Sequence, residues 1–296
     1  MRILFIGLGN MGGRMAARLA MAGHDVAGSD ISDASVDALV QGGGRAANDE
    51  DVASADAIVT MLPAGQHVRD VYLGDAGLIA RASDKVLLID CSTIDVAAAR
   101  EVAGEAAKRD LAMIDAPVSG GVGGAEAGTL TFMVGGPSAA VERARPLLDL
   151  MGRAVIHAGG RGAGQAAKIC NNMILGVSMI AVSEAFALGR SLGLDDQKLF
   201  DVASVSSGQC WSLTTYCPVP GPVPASPANR DYAPGFTAAM MLKDLKLAQD
   251  ARQTGDAKTP LGAEAAALYQ AFVDAGHGEM DFSAIMKSLG NGSVND

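Results

Sequence analysis

The sequence predicts an α/β chain in two parts: a doubly wound, mostly parallel sheet over residues 1–162, followed by an all-α domain over 163–296. Three observations carry that prediction. Short apolar runs bounded by glycine alternate with helical stretches through the first half. From Gly164 onward the strand signals stop and only helical patterning remains. A chain of 296 residues is also long for one core, so two domains are the natural expectation.

Composition narrows the possibilities further. Hydrophobic residues make up 49% of the chain but aromatics only 4%, so the core is assembled from Ala, Val, Leu, Ile and Met. The formal charge of -10 leaves no general attraction for nucleic acid or an anionic membrane surface, and an anionic ligand needs local donors instead. Cys91, Cys170, Cys210 and Cys217 form no CxxC pair and have no closely spaced histidines, which suggests neither a metal site nor a disulfide framework. Reduced thiols fit a cytoplasmic setting. Met1 to Asn10 is apolar only to Leu8, too short for a secretory signal. The apolar run Met173 to Leu188 is interrupted by Glu184 and falls below the length of a membrane span, so a soluble protein is expected.

The first strand is Arg2 to Gly7, apolar almost throughout, as a strand buried on both faces should be. It leads into Gly7-Leu8-Gly9-Asn10-Met11-Gly12 and then a helix to Met21, with Gly23 as the stop. In this Rossmann-type arrangement one glycine makes the tight turn, one lets the backbone approach a pyrophosphate, and one lets the helix pack on the strand. The helix N-terminus presents free N–H groups and a positive dipole end to the phosphates. A second strand, about Asp25 to Asp30, ends in an acid 18 positions after Gly12. A carboxylate there accepts hydrogen bonds from the adenosine ribose, and no Arg or Lys follows until Arg45, which selects NAD over NADP. Asp30 could otherwise be a loop-start or capping acid.

Asp56 to Met61 reads as a buried strand stopped by Leu62-Pro63, and Lys85 to Asp90 as the next. Ser92, Thr93 and Asp95 precede a helix from Val96 to Lys108; they can cap it while Thr93 also faces a cofactor. Leu111 to Val118 is a further strand. After it, Ser119-Gly120-Gly121 and the glycines to Gly128 can form a nest of N–H groups for a carboxylate, or a flexible connection. Leu130 to Val134, a helix over Ser138 to Met151 and a strand over Arg153 to His157 complete the half.

Helical stretches then cover about 164–193, 195–207, 237–254, 259–275 and 281–289, with Gly193, Gly255, Gly276 and Gly290 as ends. Lys168 and Asn172 lie one turn apart on the first of these and share a face, so an amine and an amide can reach one small molecule. Taken alone, Lys168 is an ordinary lysine with a buried stem and a wetted head. Between the second and third helices the prolines from Pro218 to Pro224 forbid helix and central strand, in a stretch that also holds Trp211. Such a segment either lies across a cleft or links two elements.

In order, these pieces resemble the β-hydroxyacid dehydrogenases over essentially the whole chain. The shared marks are Gly7 to Gly12 with Asp30, Met61-Leu62-Pro63, Asp90-Cys-Ser-Thr93-Ile, Asp115-Ala-Pro-Val-Ser119-Gly120-Gly121, Gly164 to Asn172, and Lys243-Asp244. The resemblance implies that Lys168 is catalytic, that Ser119, Gly120, Gly121 and Asn172 contact a small 3-hydroxy acid, and that Leu62, Pro63, Thr93 and Lys243 line the NAD site. By the same resemblance His67 is expected near the cofactor, at a position where relatives carry asparagine. The hydroxyl proton would leave toward Lys168 as hydride moves to nicotinamide. A lysine with a pKa of about 10.4 is a poor base at neutral pH, so burial and the cofactor's positive charge are expected to lower it.

Ser206 to Ser212 and Tyr216 to Gly221 resemble the branch that oxidises 3-hydroxyisobutyrate to methylmalonate semialdehyde, a step of valine breakdown. Relatives acting on serine, 3-hydroxypropionate or tartronate semialdehyde would share nearly every motif. From another class, the chain could be a catalytically silent NAD-binding module that senses redox state, against which stand Lys168, Asn172 and the Ser119 loop. The family also implies a homodimer or homotetramer, although a buried intrachain core explains the apolar helices equally well.

Overall fold

The computed structural model describes residues 1–252 and 256–289. Gly255 and Gly290, expected as helix ends, lie outside the described residues. The chain divides into two compact units, Met1–Lys168 and Ile169–Asp296.

In the first unit, β1 (Arg2–Ile6), β2 (Asp25–Ser29), β3 (Arg45–Ala46), β4 (Ala57–Thr60), β5 (Leu87–Asp90) and β6 (Ala112–Asp115) form a parallel sheet in the order β3-β2-β1-β4-β5-β6. β1 pairs with β2 on one side and β4 on the other, so the winding reverses there. In open α/β sheets the carboxyl ends of strands at such a point hold the ligand. Side chains alternate between faces: Ile3, Phe5, Val59 and Ile89 enter one core, while Leu4, Ile58, Leu88 and Met113 enter another. Two buried faces explain why the strands read as continuous apolar runs.

The expected strand Leu111 to Val118 is broken in two. β6 stops at Asp115, and β7 (Val118–Ser119) resumes after Ala116 and Pro117, pairing antiparallel with β8 (Leu130–Gly135). Pro117 has no N–H to give to a ladder, which accounts for the break. β9 (Gly152–Gly159) runs parallel to β8 and closes the sheet on that side. The glycine-rich stretch, expected as a nest of N–H groups or a flexible connection, contains a short helix, Gly121–Ala127. Left-handed glycines make this possible at both ends, with φ of 62° at Gly121 and 68° at Gly128, and the buried Ala125 anchors it.

The helix Ala163–Ser191 is 29 residues long, and by length and composition it could cross a membrane, contrary to the shorter run read from Met173 to Leu188. Gln165, Lys168, Asn172 and Ser183 along it are buried polar residues, the pattern of a core helix. In the second unit Met179 and Ile180 pack with Met241, Leu245, Tyr269, Phe272 and Phe282. Residues 204–237 are irregular apart from the single turns Trp211–Thr214 and Pro227–Arg230.

Candidate active site

β1 delivers the chain to Gly7, whose φ of 92° lies in the left-handed region. A methyl group on Gly7 would strike the Met61 carbonyl oxygen, and one on Gly12 would strike the carbonyl oxygen of Gly7. These two glycines therefore close the turn and seat the helix Gly12–Met21 on the strand. Gly9 is exposed, and a methyl there would meet nothing within 4 Å. Protein packing does not require that glycine; the bare backbone is what a pyrophosphate needs for close approach. No side chain caps the helix that follows; the Gly13 N–H is taken by the Gly9 carbonyl oxygen at 3.0 Å, and the positive end of the helix still faces an anion there. The residues present fit a bound dinucleotide.

Asp30 follows β2. Its carboxylate accepts the Leu8 N–H at 2.6 Å through one oxygen and the Ser32 N–H at 2.9 Å through the other. Each oxygen keeps a further lone pair for a ribose hydroxyl, so the loop-start and ligand readings of Asp30 are compatible. Arg45, the first basic residue after it, is bonded to Asp25 and Asp51. The Arg45 hydrogen bond is the largest cause holding the Asp51 carboxyl below its ordinary range.

The loops after β4 and β5 are tied together. Asp90, 1% exposed, accepts hydrogen bonds from Thr60 Oγ1 at 2.8 Å and Ser92 Oγ at 2.6 Å, and Ser92 Oγ accepts the Leu62 N–H at 2.8 Å. Burial pushes the Asp90 carboxyl up, opposed by the Ser92 and Thr60 hydrogen bonds. Of the three expected caps, Asp95 is the one that caps the helix Val96–Lys108, accepting the Ala98 N–H at 2.7 Å. Leu62 and Thr93 are partly buried; Pro63 and His67 are exposed, His67 on the helix Gly65–Leu73.

Lys168 lies in the second turn of the long helix and is only 7% exposed. Its Nζ donates to the Val118 carbonyl oxygen at 2.8 Å, immediately before Ser119, Gly120 and Gly121. The N–H groups opening the helix Gly121–Ala127 have no side-chain cap, Gly120 being the residue before them.

In the second unit, Asn172 is 2% exposed and its Nδ2 donates to Asp244 Oδ2 at 2.5 Å. Lys243 Nζ stands 3.8 Å from Asp244 Oδ1. Sequence reasoning read Asp244 only as part of a motif, whereas it orients Asn172. It also gave no role to Gln165, Asp90 or Asp115. Gln165 is fully buried between elements distant in sequence, and a lone glutamine on an Ala-rich helix gives no local signal. Trp211 stacks on Tyr216, with ring centroids 4.9 Å apart, and Tyr216 stacks on Phe282 at 5.3 Å. The Tyr216 hydroxyl donates to Asp281 at 2.9 Å.

Residues 2–160 match the family described as the NAD binding domain of 6-phosphogluconate dehydrogenase. Residues 162–289 match that described as NAD-binding of NADP-dependent 3-hydroxyisobutyrate dehydrogenase. A 3-hydroxyisobutyrate dehydrogenase of Pseudomonas aeruginosa is 52% identical over 289 residues, covering 96% of this chain and 97% of its own. An NAD-dependent L-serine dehydrogenase of the same organism is 48% identical over 288 residues, covering 97% of each chain. The solved Mycobacterium tuberculosis 3-hydroxyisobutyrate dehydrogenase with L-serine superposes with a TM-score of 0.93 at 49% identity, over 97% of this chain and 98% of that one. Fold, glycine turn and relatives together define an NAD-dependent oxidoreductase acting on a CH–OH group. Within that class the chain belongs to the β-hydroxyacid dehydrogenase family, that of 3-hydroxyisobutyrate dehydrogenase.

Proposed function

We propose that the chain oxidises 3-hydroxyisobutyrate to methylmalonate semialdehyde with NAD, and that Lys168 is the acid and base of the reaction. The observation that carries this reading is the buried Lys168 amine, fixed on Val118 directly before the Ser119-Gly120-Gly121 turn. A neutral amine has two N–H bonds and one lone pair. One N–H is given to Val118, and the lone pair of the neutral form is what would take the proton of a substrate hydroxyl. Ser119 and the N–H groups after Gly120 would hold the substrate carboxylate, and Asn172, with its own amide fixed on Asp244, would hold the hydroxyl in line. Bound NAD supplies the hydride acceptor. In the reverse direction Lys168 returns its proton to the alkoxide oxygen.

L-Serine is the second reading, favoured by the 48% identical serine dehydrogenase and by the solved relative with L-serine. Both acids present a carboxylate and a primary hydroxyl at the same separation, and they differ in a methyl against an ammonium group. A pocket methyl is worth about 1–3 kcal/mol, so the preference is measurable but not absolute. The test is the initial rate of NADH formation at mildly alkaline pH with 3-hydroxyisobutyrate, L-serine and 3-hydroxypropionate in parallel, with NADP as control. The highest kcat/KM is expected for 3-hydroxyisobutyrate with NAD. A higher value for L-serine would reassign the substrate and keep the chemistry, and a preference for NADP would overturn the role given to Asp30.

A further inference from the structure

The first turn of the long helix is held by side chains that the reaction itself does not use. Asp115, at the end of β6, is 3% exposed. Its Oδ1 accepts the Gly162 N–H at 2.7 Å and its Oδ2 the Gln165 N–H at 2.9 Å. These donors belong to the start of a helix, where N–H groups have no intrahelical acceptor. A helix is ordinarily capped by the residue just before it, but here the cap reaches in from 47 residues upstream. The helix start is thereby fastened to a strand rather than to its own leading loop.

Gln165 adds a second fastening. It is fully buried, its Nε2 donates to the Ser92 carbonyl oxygen at 2.7 Å, and its Oε1 accepts the Ile94 N–H at 3.1 Å. Both functional atoms of the amide are thus spent on the loop after β5. There is no slack around these bonds. A methyl on Gly135 would lie 2.5 Å from Asp115 Oδ1 and 2.7 Å from the Gly164 nitrogen, and a methyl on Gly164 would strike the Met133 carbonyl oxygen.

Burying a carboxylate and an amide costs free energy unless every bond is made, and an apolar residue at 165 would serve packing alone. Lys168 lies three residues beyond Gln165, on the adjoining face of the next turn. Any slide or rotation of the first turn therefore carries the amine with it, away from the Val118 carbonyl oxygen. We infer that Asp115 and Gln165 are positioning residues that hold the first turn of the helix so that the Lys168 amine sits at the reacting hydroxyl. The inference rests on the reading of Lys168 as acid and base.

Gln165→Met tests it, since methionine matches glutamine in length, adds no charge and makes neither hydrogen bond. With 3-hydroxyisobutyrate and NAD, kcat/KM for the acid is expected to fall about 10- to 100-fold while KM for NAD stays within about twofold. The acid limb of the kcat/KM profile should also move, because an amine released from its place exchanges its buried surroundings for water. A purely structural cap would lower the melting temperature and leave that limb in place. Asp115→Asn, which turns an amide N–H toward the Gly162 or Gln165 N–H, should cost kcat/KM by a similar factor.

If Gln165→Met does not fold, Gln165→Ala is read in the same way. An unmoved limb, or a loss confined to KM for NAD, overturns the inference. Lys168→Ala separates the two layers. Near-normal turnover would remove the lysine assignment and the positioning role with it, whereas a loss of about 100- to 10,000-fold together with an unmoved limb in Gln165→Met would remove the positioning role alone.

Discussion

At the glycine turn after β1, function is carried by what is missing. Gly9 has open space where a side chain would stand, and Gly7 and Gly12 have none to spare. In the helical unit the polar machinery consists of side chains that meet across sequence, Asn172 with Asp244 and Tyr216 with Asp281, at separations of 72 and 65 residues. A backbone site is specified locally, because glycine spacing alone dictates the conformation. A site made of side-chain pairs is specified only by the finished fold. The first has no room for a side chain at Gly7 or Gly12, while the second should tolerate changes that keep the hydrogen bond.

The largest effect should come from the turn. Gly12→Ala drives a methyl into the Gly7 carbonyl oxygen and to 3.1 Å from Phe5. It should cost about 1–3 kcal/mol of stability and raise KM for NAD sharply, seen together in a melt and a kinetic titration. Gly9→Ala should raise KM for NAD with the melt unchanged, since its methyl meets only the space a phosphate would take. Normal NAD binding by Gly9→Ala would break the contrast.

Next comes the pair in the helical unit. Asp244→Ala leaves the buried Asn172 amide unpaired, and should cost about 1–3 kcal/mol of stability and lower kcat/KM for the hydroxy acid. Asp244→Asn, which keeps an acceptor oxygen, should restore most of both. Equal losses in the two variants would mean that charge, not the hydrogen bond, is what Asp244 contributes.

The smallest effect is a slope with pH. Asp90 is held above the ordinary carboxyl range chiefly by burial. Its protonation therefore favours the folded state below about pH 4, the unfolded value, and that contribution is lost as pH rises through the raised folded value. Asp90→Asn keeps an acceptor for Thr60 and Ser92 and has no charge to bury. Its stability relative to the parent chain should improve from acid pH toward neutrality in denaturant melts. A flat difference across that range would show that Asp90 is ionised at no net cost.

The same contrast decides what was legible in the sequence. Strand and helix order, the turn at Gly7 to Gly12, Asp30 and the helix bearing Lys168 all follow from local spacing, and the structure forms them close to where they were expected. The helix Val96–Lys108 has the expected bounds because Asp95, directly before it, caps it. The short helix among the glycines after Ser119 is not legible, because composition cannot reveal that Ala125 has a core to enter. Nothing near Gln165 in sequence announces that its amide will meet Ser92 and Ile94, 73 and 71 residues away. Pro117, by contrast, carried the signal for the break between β6 and β7.

The aromatic stack of the helical unit has a spectroscopic corollary. Trp211 is the sole tryptophan of the chain, it is about half exposed, and it lies on the face of Tyr216, whose hydroxyl is fastened to Asp281. Tryptophan emission excited at the red edge thus arises from a single ring on a single segment. The protein carries its own optical reporter there: no label is needed to follow that segment, and a shift in its colour or intensity need not be apportioned among several fluorophores.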